Sequence, residues 1–332
     1  MTIDIASVQY DVELITETGT RYLLNDALLS LQWEEQQNEL AQRATITVAN
    51  FALGNTWLMA TAKINCVILI YAKWGDGRNL LFEGTIWEWQ YVSSSQKELT
   101  IIAYDRLIRL QQSKDFKYYS AGQTTRGLIE DICGEWGIPL SYKWAQSITH
   151  EKKAFSAEPI SEMIIGLLDE VRQKTGEKYV AYFRDGKLQI VGYGSNNTIY
   201  LFDGNSTIST IDKLTINNLV TRVKIIGKAD DEGRAPVDAI LDGDASFGVL
   251  QEIIRRDGDK TVDAAMAEAK ALIKERGKPE ETIQINVPDL PFTRKGDKIE
   301  VSAGNLIGFF FVEGVTHQAS VRQMTLNISR TG

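Results

Sequence analysis

The chain is poor in the side chains from which most catalytic and metal sites are built. Its 332 residues include only two cysteines, Cys66 and Cys133, and two histidines, His150 and His317. The cysteines form no CxxC pair and have no histidine nearby, so both read as small buried hydrophobes. Neither histidine has a cysteine or aspartate at ligand spacing, which removes the local signatures of a zinc site and of a Ser-His-Asp relay. Apolar runs fall far below membrane-spanning length, and residues 1–10 show no basic start followed by an apolar stretch. No membrane segment and no secretory leader is therefore expected, and the sequons at Asn196, Asn205 and Asn327 receive no weight. Long Lys/Arg runs are missing as well: 44 acidic residues exceed 36 basic ones, the formal charge is -8, and specific nucleic-acid binding is not expected.

Other motifs are present only in part. Gly192-Tyr193-Gly194 begins like a dinucleotide loop but lacks the third glycine and follows a hairpin. Glu34-Glu35 pairs two carboxylates, as a glycosidase of cell-wall material would need, yet reads better as a solvated strand end. Asp230, Asp231, Glu232, Asp238, Asp242 and Asp244 crowd a loop whose one counter-charge is Arg234. That loop lacks the regular ligand series and closing glutamate of an EF-hand, so it reads as solvated rather than as a calcium site. No catalytic, cofactor-binding or metal-binding residue is assigned, and no enzyme is expected.

What is there is strand pattern around a helix-bearing middle. With 43% hydrophobic residues the chain can bury a large core, and its length fits two or three domains. Val8, Tyr10, Val12 and Leu14 alternate with Gln9, Asp11 and Glu13, the period-two signature of a half-buried strand. Similar signals recur over 29–33, 44–48, 64–71, 80–92 and 99–104, with turns at Trp74-Gly75-Asp76-Gly77 and at Ser93-Ser94-Ser95-Gln96. At least six strands in residues 1–110 predict an antiparallel barrel. Trp87, Trp89 and Tyr91 alternate onto one face of the 80–104 ribbon. Such a face is either core, a subunit contact, or an exposed platform for sugar rings.

Residues 111–203 predict a small α+β insert. Thr124 or Thr125 caps a helix carrying Leu128, Ile129, Ile132, Cys133 and Trp136, stopped by Gly137, and Trp136 is expected to be buried. A second helix spans 160–175 before Gly176, and Asp185-Gly186 turns a hairpin. Residues 204–332 predict a second barrel, with a strand over 211–227 that could pack on the first barrel, the acidic loop, a helix over 261–276, and strands from Ile283 to Ile328.

Two stretches go beyond periodicity. Ala103-Tyr104-Asp105-Arg106-Leu107 leads into residues 115–132, and Thr221-Arg222-Val223 is followed by the acidic loop, the helix and Gly296-Asp297-Lys298-Ile299. In this order they resemble the baseplate hub proteins of contractile-tailed phages, in particular the hub of defective PBSX-type prophages and tail-like particles of Gram-positive bacteria, over essentially the whole chain. The resemblance implies two related barrels per subunit and a homotrimer, hence a pseudo-hexameric ring of six barrels around a channel. It also implies that the chain adapts a hexameric tail tube, or its initiator, to a trimeric spike on a separate polypeptide, with a LysM-type tail protein and the tape measure as further partners. The expected location is the baseplate of a virion or tail-like particle assembled in the bacterial cytoplasm. An acidic chain suits a channel through which DNA passes without adsorbing. The competing expectation is a carbohydrate-binding module using Trp87, Trp89 and Tyr91.

Overall fold

The computed structural model describes residues 7–74, 77–93, 97–143, 148–229, 232–256 and 260–331. The expected turns at Gly75-Asp76 and Ser94-Ser95-Gln96, and Asp230 and Asp231 of the acidic loop, lie outside the described residues. The chain is mainly β and divides into two compact units, residues 1–210 with 284–332, and residues 211–283. No described helix is long and apolar enough to cross a membrane.

The first unit is organised by one long sheet. From the hairpin of Gln9–Ile15 with Arg21–Leu23, the hydrogen-bonded path runs through Val67–Trp74, Gly77–Val92, Glu98–Tyr104 and Arg43–Ala49 to Leu28–Glu35. It then crosses to the far end of the chain, where Leu28–Glu35 pairs antiparallel with Leu306–Gln318, Glu35 opposite Val315. Leu306–Gln318 is long enough to serve several partners: its first half pairs with Lys298–Ala303, its second with Leu28–Glu35, and Gln323–Arg330 lies on its other side. Where two separate barrels were expected, the pairings among the described residues thus form an open path shared by both ends of the chain. The free edge of Leu28–Glu35 that could have closed a first barrel is occupied by the C-terminal block. Alternating side chains put Leu14, Ile46, Ile68, Ile70, Leu99 and Ile101 on the buried face of this sheet.

The helical insert belongs to the same unit. Thr124 caps the helix Thr125–Glu135, its Oγ1 accepting the Gly127 N–H at 3.1 Å, and Gly176 ends the helix Ile160–Thr175 at φ +79°. Leu128, Ile129, Ile132 and Cys133 of the first helix meet Ile160, Ile164, Leu167 and Leu168 of the second in one core. Both cysteines are buried, and burial pushes the Cys133 thiol up to about 12. Trp136 is only half-buried, because it follows the last helical residue and its ring rests on the rim of this core. Tyr179–Arg184 and Lys187–Gly192 form the expected hairpin, with both Asp185 and Gly186 at positive φ, and Leu140–Lys143 adds to it in parallel.

In the second unit, Arg222–Ile226 lies between Val237–Asp242 and Gln251–Arg255. The expected strand over 211–227 is two strands, Ser209–Thr215 and Arg222–Ile226, interrupted by a turn at Asn217-Asn218. Thr261 caps the helix Val262–Arg276, and its small residues Ala265 and Ala269 let it sit close on Val223, Ile225 and Ile254. The described part of the acidic stretch is not all loop and has more than one counter-charge. Asp238 and Asp242 stand in a strand and pair with Arg256 at 2.8 Å and Arg222 at 2.5 Å, partners that sequence distance concealed.

Candidate functional site

Glu34 and Glu35, expected in solvent, are 6% and 4% exposed. The cause is the pairing of their strand with Leu306–Gln318, which covers the strand end. Glu35 accepts hydrogen bonds from Arg294 Nε at 2.9 Å, from Arg294 Nη2, and from the Lys295 backbone N–H at 3.0 Å. Burial opposes its charge, but the Arg294 guanidinium and Lys295 outweigh burial and hold its carboxyl below the usual range. Arg294 also stacks over Tyr182, 4.5 Å from the ring centre, while Lys295 Nζ donates to the carbonyls of Gln36, at 3.2 Å, and Glu39. Glu34 pairs with Arg43 and accepts from Gln36 at 2.8 Å.

Asp105, the acidic residue of the Ala103–Leu107 motif, lies beside this cluster. Its carboxylate accepts the Gln42 N–H at 2.9 Å and the Leu107 N–H at 2.8 Å, locking the end of Glu98–Tyr104 onto the turn into Ile108–Gln112. Burial raises its carboxyl to about 7. A carboxyl raised from 3.8 binds more protons in the folded than in the unfolded chain across roughly pH 4–7, so its contribution to stability falls as pH rises through that window. Asp105→Asn is expected to flatten the fall of unfolding free energy between pH 4 and 7. Equal slopes for variant and wild type in urea titrations would show that Asp105 ionises in the ordinary range.

The two histidines, isolated in sequence, acquire partners through the fold. His317 Nδ1 lies 2.6 Å from Asp289, its Nε2 donates to the Thr293 carbonyl at 3.0 Å, and its ring stacks on Trp33 with centres 4.6 Å apart. Tyr10 donates its hydroxyl to the same Asp289 at 2.5 Å. His150 Nε2 is 2.5 Å from Thr125 Oγ1, and Glu170 Oε2 is 2.9 Å from its Nδ1. Burial opposes the charge of Glu170, but hydrogen bonds from Lys153 and Lys174 prevail and lower its carboxyl to about 2. This hydroxyl, imidazole and carboxylate have the order of a nucleophile relay, yet Thr125 is 1% exposed and caught in the first turn of a helix. A hydroxyl that no substrate can reach does not act as a nucleophile. Both arrays tie distant segments together, and no local spacing could have revealed them.

The aromatic residues of the 77–104 ribbon are divided. A bulge between Ile86 and Glu88 leaves Trp87 without a cross-strand partner and breaks the alternation on which a common face depends. Trp87 turns its edge to Tyr104, 6.4 Å between centres, whereas Trp89 and Tyr91 stand opposite the buried Ile101 and Leu99. Trp87 is 43% and Trp89 38% exposed, and Tyr91 packs against the first core.

The profile of the YQBQ-like family matches residues 31–329, which takes in the Glu35, Asp105 and Arg294 cluster and all of the second unit. The chain belongs to the YQBQ-like family. No curated protein sequence matches it. The fold of this YQBQ-like chain is similar to that of a tail protein from Neisseria meningitidis MC58, with TM-score 0.69 and 12% identity over 97% of both chains. It is equally similar to the 43 kDa tail protein of prophage MuSo2 from Shewanella oneidensis, with TM-score 0.68 and 12% identity over 97% of this chain and 98% of that one. The Escherichia coli c3393 protein, a type VI secretion component described as similar to phage T4 tail proteins gp27 and gp5, matches at TM-score 0.52 and 13% identity, over 92% of this chain and 74% of its own. At such identities the likeness is one of fold. The YQBQ-like chain shares the architecture of phage tail proteins, and within it the motif residues Asp105, Gly296 and Asp297 act as structural clasps.

Proposed function

We propose that this YQBQ-like chain is a structural baseplate hub of a contractile phage tail or tail-like particle, joining a hexameric tail tube to a trimeric spike around a central channel. The observation that carries this reading is the end-to-end fold likeness to two tail proteins, covering 97% of this chain in each case. A homotrimer whose subunits each present two β-rich lobes offers the tube six similar contacts and the spike a three-fold face. Tail tube or tube initiator, spike, LysM-type tail protein and tape measure are its partners, and the baseplate, assembled in the bacterial cytoplasm, is its place. The net charge of -8 suits a channel for DNA, since like charge disfavours adsorption. The clasps support a rigid part that transmits load, and none of them offers a reachable nucleophile. The alternative is a carbohydrate-binding module on Trp87, Trp89 and Tyr91, which would have to use the exposed rings of Trp87 and Trp89 across the bulge.

Negative-stain images of the concentrated protein, alone and with spike and tube proteins, are expected to show three-fold rings with six lobes. Monomers under every one of these conditions, or mature particles lacking the chain, would overturn the proposal.

A further inference from the structure

The wall formed by the 179–192 hairpin, the segment after it and residues 292–297 encloses a cavity of about 460 Å³, enough for one sugar ring with water. Its charge runs against that of the chain. Lys143 and Arg184 line it; among the described residues neither forms an ion pair, and Arg184 acts on Asp297 only through space. Arg294 lines it too, with Nε and Nη2 committed to Glu35, Nη2 also reaching the Phe183 carbonyl at 3.5 Å, and Nη1 without a partner among the described residues. The one carboxylate in the wall, Asp297, accepts the Arg294 backbone N–H at 2.8 Å; burial raises it to about 6 against the pull of Arg294 and Arg184, so near neutral pH it offsets one of the wall's cations and leaves the others in excess. A basic wall in a chain of net charge -8 calls for an anionic occupant.

The remaining wall narrows the class. Ser195, Asn197 and Thr198 supply short polar side chains, and the Tyr182 hydroxyl has no hydrogen-bond partner among the described residues. Tyr200 and Phe292 add ring surface of the kind that packs against the C–H face of a sugar. No lining residue begins a helix, so the converging backbone donors that gather a phosphate are missing. The fork of Arg184 matches a carboxylate and a phosphate alike, so the ring surface and the missing helix start decide in favour of a carboxylate carried on a ring. We propose that this cavity binds a sugar acid, one sugar ring bearing a carboxylate, held by Arg184 and Lys143 at the charge and by Tyr182, Tyr200 and the short polar residues at the ring. The inference stands apart from the hub reading, since a structural ring with or without this site remains a ring.

Isothermal titration of the full chain with glucuronate, glucose, acetate and phosphate tests it. Glucuronate is expected to bind, with glucose and acetate each weaker by about tenfold or more, the loss that follows from removing a charge-assisted contact or the ring. Arg184→Gln and Lys143→Gln are each expected to weaken glucuronate binding by about tenfold while leaving the urea midpoint unchanged, because both side chains are at the surface of the wall. Absence of glucuronate binding, acetate or phosphate binding as tight as glucuronate, or full affinity in Arg184→Gln would each overturn the proposal.

Discussion

Glu35→Ala is expected to lower the unfolding free energy by about 3–5 kcal/mol, because it leaves Arg294 buried without its carboxylate. The loss also reaches Lys295, whose backbone N–H loses its acceptor and whose ammonium, already destabilised by burial, loses its main opposing charge. Glu35→Gln, which retains an oxygen for one of these donors, is expected to fall between wild type and alanine. The pair is shielded from ions, so the cost should be nearly the same in dilute and in molar salt. Removing both partners as Glu35→Leu with Arg294→Leu is expected to cost less than the sum of the single changes, since no charge is then left stranded. Urea unfolding of the four proteins provides the cycle. Additive costs, or a strong salt dependence, would mean that Glu35 sits in solvent as its sequence context suggests.

Gly296→Ala is the second large effect. Gly296 has φ +90°, and a Cβ added there would lie 2.4 Å from Val180 Cγ1. The backbone term is about 1–2 kcal/mol for a residue with a Cβ, and overlap with a β-branched side chain that cannot swing aside adds roughly 1–3 kcal/mol. Its N–H donates to the Val312 carbonyl at 2.7 Å and its carbonyl accepts the Gly194 N–H at 2.8 Å, so the loop cannot simply retreat. A total of about 2–5 kcal/mol is expected from the two terms. Val180→Ala should cost less in the Gly296→Ala background than alone, because it then removes the clash as well as packing. A loss below about 1 kcal/mol for Gly296→Ala would place the loop elsewhere than against Val180.

These two residues also show how legibility in the sequence divides. Gly296-Asp297 could be singled out as a motif, but its reason, the close approach of Val180 from a hairpin more than a hundred residues earlier, is tertiary. Glu34-Glu35 was visible as a pair of carboxylates, yet nothing near it in sequence announces Arg294 or Lys295. Trp87, Trp89 and Tyr91 alternate in sequence, and one bulge at Ile86 is enough to divide them, because a two-residue period carries a face only while the ladder stays in register.

By itself the sequence determined what is settled within a few residues of chain: a cap at Thr124 or Thr125, the Gly176 stop, the Asp185-Gly186 turn, the apolar stripes of the helices and the alternation of the strands. Each rests on local φ/ψ preference and on the next hydrogen bond, so no distant partner is needed. Only the tertiary structure decided which strands are neighbours, and with that which charges are buried. Period-two alternation marks the face of a strand but not the strand beside it. The pairing of Leu28–Glu35 with Leu306–Gln318 is therefore written nowhere locally, yet it buries Glu35, seats Arg294 and joins the two ends of the chain in one sheet.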